Sequence, residues 1–132
     1  MATDSFPSEM ITVYKTFFLT FYSAVDSMDD EAVAGSFTES GTFVLGTKKA
    51  TGILALLASL RRLVKSRTHH LDQFFIRSDS ESVMMNGSVG YGQYDGSIVA
   101  TEWAGLAHLM RVREDTVRMD NYQVYFASDA TF

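Results

Sequence analysis

The hydrophobic period of this chain changes at Thr68, and that change restricts the possible folds more than any other feature. Over most of the chain up to Ser66 the apolar residues recur every three or four positions, as on one face of a helix. After Thr68 they fall into strand-like segments at 69–77, 82–94, 97–112 and 117–126. The breaks between them are short: Ser78-Asp79-Ser80, Asp95-Gly96 and Arg113-Glu114-Asp115. Parallel neighbours need crossovers of a dozen residues or more, so these segments form an antiparallel meander. Asp95-Gly96 is a strong hairpin signal. Helices first and a meander afterwards is an α+β pattern, with helices covering one face of a sheet.

Within the helical half, Pro7 suits a first helical turn after Asp4 or Ser5. Met10, Tyr14, Phe17, Phe18, Phe21, Tyr22 and Val25 keep helical spacing, with Thr12, Lys15, Thr16 and Ser23 on the opposite stripe. Ser27-Met28-Asp29-Asp30 resembles a capping box opening a short second helix that runs to Phe37. Glu39-Ser40-Gly41 reads as a turn, 42–45 as a short strand, Gly46-Thr47-Lys48-Lys49 as a turn, and Ala50-Thr51 as the returning partner. A third helix is expected from Gly52 to Ser66, burying Ile53, Leu56, Leu57, Leu60, Leu63 and Val64.

The 132 residues fit a single domain, and 46% hydrophobic content is that of a packed protein. No apolar run is long enough to cross a membrane and no secretory leader is visible, so an intracellular, cytoplasmic protein is expected. The net charge of −5 argues against a nucleic-acid partner. The one basic cluster, Arg61, Arg62, Lys65 and Arg67, falls at the C-terminal end of the third helix, where cations complement the helix dipole.

With no cysteine, acid–base chemistry must use histidine, carboxylate or tyrosine. There are three histidines, His69, His70 and His108. The first two lie where the helical half meets the sheet and can face a cavity. Side chains alternate along a strand, so His69 and His70 point to opposite faces, and a bulge would exchange them. His108 shares parity with Glu102 and Met110, whereas Trp103, Gly105, Ala107 and Leu109 share the other face. Periodicity alone does not say which face is concave. The spacings match no metal-ligand signature, and no phosphate loop or nucleophile elbow is present, so neither a metal nor a nucleotide cofactor is expected. Tyr22 lies one helical turn before Asp26 and can add a phenol to the same pocket. Tyr91 sits on a glycine-rich strand whose bending suits a cone-shaped sheet.

The element order, together with Phe37-Thr38-Glu39-Ser40-Gly41-Thr42-Phe43, Thr68-His69-His70, the segment from Thr101 to His108 and that from Asp120 to Tyr125, resembles the NTF2-like superfamily. More narrowly it is similar to fungal SnoaL-like domain proteins. The resemblance covers nearly the whole chain and implies a cone: three N-terminal helices packed on a strongly curved, mostly antiparallel sheet. Relatives include ketosteroid isomerase, scytalone dehydratase and polyketide cyclases, but the fold also hosts non-enzymes. By likeness to scytalone dehydratase, Asp26 and His70 fall at active-site positions, with His70 as proton shuttle and Asp26 orienting it. The base of ketosteroid isomerase falls at Leu45, which cannot serve, and its second key carboxyl group falls near His108. The resemblance therefore places His108 inside the cone as an oxyanion donor, with Tyr22, Tyr91, Trp103 and Leu45 lining the substrate.

These readings imply a cofactor-independent dehydratase, isomerase or cyclase acting on a hydrophobic polyketide- or terpenoid-like molecule. A non-catalytic binding module for an apolar ligand is the alternative, and an association domain a third. Relatives often pair through the sheet, so a homodimer is expected.

Overall fold

A computed structural model describes residues 12–77, 81–114 and 116–127. The expected helix start at Pro7 and the breaks at Ser78–Ser80 and Asp115 lie outside the described residues. The elements are α1 (Thr12–Asp26), α2 (Asp30–Ala34), β1 (Phe37–Leu45), β2 (Lys48–Ala50), α3 (Ile53–Arg61), β3 (Ser66–Ile76), β4 (Ser82–Gly92), β5 (Ile98–Arg113) and β6 (Thr116–Phe126). The fold is α+β, with one six-stranded sheet in the order β2-β1-β6-β5-β4-β3. Its two ends do not meet, so the sheet is open. The meander β3 to β6 is antiparallel throughout, and only β1 on β6 is parallel. No helix among the described residues is long and apolar enough to cross a membrane.

Helix α1 buries Tyr14, Phe18, Phe21, Tyr22, Ala24 and Val25 against the concave face of the sheet. Phe18 packs on Phe74 of β3, and Phe21 on Tyr122 of β6. Each such phenylalanine contributes about 2–3 kcal/mol by leaving water. Helix α3 adds Ile53, Leu56, Leu57 and Leu60 to the same core.

Several boundaries differ from the sequence expectation. Helix α2 starts two residues later than Ser27 implied: Asp29 is the cap and accepts from the Ala32 N–H at 3.2 Å, whereas Ser27 Oγ donates back to the Ala24 carbonyl. Glu39-Ser40-Gly41 is not a turn but the extra length of a bulge in β1, since Phe37 pairs with Met119 and Thr42 with Asn121. The β1–β2 turn is only Gly46-Thr47, so Lys48 already pairs with Leu45. Helix α3 ends at Arg61 rather than Ser66, which frees the chain to enter β3 at Ser66. Arg67, expected at a helix end, therefore belongs to a strand.

The most consequential irregularity is in β3. Leu71 pairs with Gly87 and Gln73 with Asn86, leaving Asp72 as an extra residue. Such a bulge exchanges the faces of the strand on its two sides. Phe74 is inward beyond it and Leu71 before it. Position 87 must be glycine for this approach, because an added Cβ would overlap the carbonyl oxygen of His70 and sit 3.1 Å from Leu71 Cα. Gly105 plays a similar part on β5, where a Cβ would lie 2.8 Å from the Tyr122 ring.

Gly87→Ala is expected to cost about 2 kcal/mol or more, because backbone rather than a flexible side-chain end must move. Gly90→Ala, with nothing nearer than 3.7 Å, should be near neutral. Urea denaturation of the two variants checks the contrast.

Candidate functional site

Where the C-terminal end of α1 meets the first residues of β3, the polar groups of the concave face gather around a cavity of about 50 Å³. By the same measure a water molecule needs roughly 10–15 Å³, so the cavity holds a few water-sized groups. Its walls are apolar: Phe43, Leu45, Leu57, Val124 and Trp103 among others. Tyr22, His69, Arg67, Tyr91 and Tyr122 bring polar atoms to it.

Asp26 is the last residue of α1 and its carboxylate bridges the start of β3. Oδ2 accepts from the His69 backbone N–H at 3.0 Å, and Oδ1 lies 2.7 Å from His69 Nδ1. A carboxylate only accepts, so Nδ1 carries a proton, and in the neutral imidazole Nε2 keeps its lone pair. The carboxylate sits at the negative end of the helix dipole, which is unfavourable by a few tenths of a kcal/mol. The two hydrogen bonds to His69 offset that cost. The His69 side chain is only 14% exposed, and its ring packs 5.5 Å from Tyr22 and 5.9 Å from Trp103. Trp103 is itself tied down by its indole N–H, which donates to the Ser88 carbonyl.

Opposite the histidine, Tyr22 and Tyr122 share a short hydroxyl–hydroxyl hydrogen bond. Tyr22 also donates to the Met85 sulfur at 3.1 Å, so the Tyr122 hydroxyl donates to Tyr22. Thioether sulfur is a weak acceptor and gives up a donor readily to a charged oxygen. Burial holds both phenols well above their ordinary range of ionisation, and burial does the same for Tyr91, partly opposed by Arg67.

Arg67 lies directly across from Tyr91 in the β3–β4 register and faces the cavity. Its Nε is shut off from solvent and has no hydrogen-bond partner among the described residues. Burial lowers its pKa, while Asp30, Tyr91 and Asp26 act to raise it. At the rim, Arg61 pairs with Asp30 at 2.7 Å and donates to the Met28 carbonyl. Tyr94, on the β4–β5 turn, donates to the Arg61 carbonyl at 2.7 Å.

The structure thus brings together Asp26, Tyr22, Tyr91, Trp103 and Leu45, which line or adjoin the cavity, and moves two histidines out of it. His70 is exposed on the convex face, and the contact with Asp26 belongs to His69. The cause is the bulge at Asp72. Counting by twos back from Phe74 puts His70 inside, whereas the extra residue puts Leu71, His69 and Arg67 inside. His108 is also outside the cone, 46% exposed and paired with Asp120 at 2.6 Å. It follows the parity of Glu102, opposite to that of buried Trp103, Ala107 and Leu109. Sequence reasoning missed Arg67, hidden within an apparently helix-terminal basic cluster, and Tyr122, whose inward direction depends on a register shift in β6 opposite His108/Leu109. Among the described residues no group of three histidines or carboxylates is placed to hold a metal ion.

No protein-family model matches the sequence, and no curated protein matches it significantly. Solved structures do match. A Novosphingobium aromaticivorans protein provisionally assigned as a scytalone dehydratase superposes with a TM-score of 0.77 at 13% identity, over 88% of this chain and 83% of that one. ActVI-ORFA from Streptomyces coelicolor gives 0.70 at 19% identity, over 85% and 93%. A ketosteroid isomerase-like protein from Erwinia carotovora gives 0.71 at 15% identity, over 92% and 99%. Likeness at this level of identity establishes the fold, which is that of NTF2-like and ketosteroid isomerase-like proteins.

The buried phenols make a testable pH signature. Tyr22, Tyr91 and Tyr122 are raised above 10.0 when folded, so they are neutral in the native state where the unfolded chain is ionised. The unfolded state then binds fewer protons, and stability falls as pH rises through 10.0 toward the raised native values. In an alkaline absorbance titration these three phenolates should appear only together with unfolding, and Tyr→Phe variants assign the missing signal.

Proposed function

We propose that the cavity is the active site of a cofactor-independent enzyme that moves a proton on a hydrophobic polyketide- or terpenoid-like molecule. One observation carries this reading: a carboxylate holds an imidazole by two hydrogen bonds in a pocket that is otherwise apolar. His69 Nε2 takes a proton from a carbon beside a carbonyl group. Asp26 keeps the other ring nitrogen protonated and steadies the imidazolium that forms. The negative charge passes to the carbonyl oxygen, which accepts from Tyr22 as that hydroxyl turns away from Met85. The imidazolium then returns its proton, to a departing hydroxyl in a dehydration or to another carbon in an isomerisation. The fold shared with a provisional scytalone dehydratase and a ketosteroid isomerase-like protein is compatible with both outcomes. Entry of a ring-sized substrate requires the rim to yield, and Met28 and Arg61 are long, flexible side chains placed there.

Deuterium incorporation from heavy water into apolar cyclic β-hydroxyketones, followed by NMR, tests the reading. His69→Gln should slow exchange by about a hundredfold or more. Asp26→Asn should slow it too, because an amide can hold the imidazole in the wrong tautomer. His70→Ala should leave it unchanged. Equal rates in wild type and His69→Gln would sink the mechanism, and ligands that bind but return unaltered would point to a non-catalytic binding module.

A second reading, association, is favoured by the smallness of the cavity and by the outer face of the sheet. There Phe75, Met84 and Leu106 lie side by side on three strands, with Phe75 and Met84 more than half exposed. Met110 and Tyr125 stand on the same face. A homodimer formed through this face buries that row without touching the cavity. Met84→Glu is expected to convert dimer to monomer in light scattering, and a wild-type protein that is already monomeric would rule this pairing out.

A further inference from the structure

A cation with a donor shut away from water is costly, and the proton transfer leaves the half-buried Arg67 unused. Guanidinium carries five N–H donors and remains charged at any ordinary pH. In this chain the group faces an apolar cavity, and its Nε is shut off from water and from the acceptors of the described residues. The nearby carboxylates do not fill the gap. Asp26 is engaged twice by His69, and Asp30 directs Oδ2 to Arg61 while its Oδ1 is also buried without a partner; among the described residues neither carboxylate forms an ion pair with Arg67. Replacing the cation by a hydrocarbon of like volume would normally be neutral or stabilising. A charge at a cavity wall is satisfied if something that enters the cavity pairs with it.

We propose that the molecule taken by this pocket carries a carboxylate, and that the carboxylate seats on Arg67. The planar fork of guanidinium matches the two oxygens of a carboxylate, whereas a ketone or hydroxyl would meet only one donor. Tyr91, across the strand pair, flanks the same spot. His69 is two residues along β3 on the same face, so its ring stands about 7 Å deeper along the strand. The apolar body of the ligand then extends from Arg67 past His69 toward Trp103 and Phe43. This adds an acidic head to the hydrophobic substrate class, and it rests on the reading of the cavity as a substrate site.

The chain has one tryptophan, Trp103, and it lines the cavity, so its fluorescence reports occupancy. Cyclohexanecarboxylate and cyclohexanecarboxamide are equal in shape and differ in charge. Wild type should bind the carboxylate at least about tenfold more tightly than the amide, the usual advantage of a charge-assisted pair. Arg67→Met should abolish the preference and Arg67→Lys retain part of it. Should Arg67→Met fail to fold, the NMR resonance of the wild-type Arg67 Nε–H answers the same question. It should move downfield with the carboxylate and stay in place with the amide. Equal binding of the two probes by wild type, a carboxylate preference that survives Arg67→Met, or an Nε–H signal indifferent to the carboxylate overturns the proposal. The readout is binding, so it is separable from catalysis. A preference without any His69-dependent exchange fails the enzyme reading alone, and exchange without the preference fails this inference alone.

Discussion

The candidate site depends on one extra residue in one strand. Asp72 interrupts the alternation of β3, so the strand presents Phe74 to the core on one side of the bulge and Leu71, His69 and Arg67 on the other. Gly87 makes this possible, because any side chain there would collide with the backbone of His70 and Leu71. Without the bulge, a regular strand anchored by Phe74 would turn His70 and Thr68 inward and leave Arg67 and His69 in solvent. Asp26 would then end its helix facing no imidazole. A backbone irregularity is thus what joins the carboxylate, the imidazole and the guanidinium in one cavity.

Around that junction the core is built mostly of rings. Phe21, Tyr22, Phe37, Phe43 and Tyr122 pack edge-to-face or stacked, geometries that suit the ring quadrupoles, and Trp103 meets Tyr22 at a tilt. Such packing leaves little free volume, and it strips water from every polar atom it surrounds. The same desolvation that keeps the tyrosine hydroxyls protonated makes them strong donors to a charge that develops beside them. It also leaves Arg67 Nε without a partner among the described residues. The cavity walls and its few polar groups therefore belong to a single physical design, in which low polarity strengthens each remaining interaction.

Much of the fold was legible because it follows from local rules. The strand meander is written in period-two alternation and short breaks. Helix α1 is written in its aromatic stripe, and the β4–β5 turn in Asp95-Gly96, where Gly96 has a positive φ and Asp95 accepts from Ser97. Boundaries were less legible. Ser27 and Asp29 both suit a helix cap, and only the actual chain path decides which caps. The basic run from Arg61 to Arg67 looked uniform, although the chain changes from helix to strand inside it.

The amino-acid sequence by itself determined which elements form and which residues were available for acid–base chemistry: Asp26, the histidine pair and the tyrosines of α1 and β4. Only the tertiary structure decided which of the two histidines faces the cavity, put His108 outside it and brought Arg67 and Tyr122 to its wall. The physical reason is the period of two. A strand assigns faces by counting, and one inserted residue reverses the count for everything beyond it. The bulges of β3 and β6 appear only in the pairing of each strand with its sequence neighbour, so the pattern within either strand alone does not reveal them.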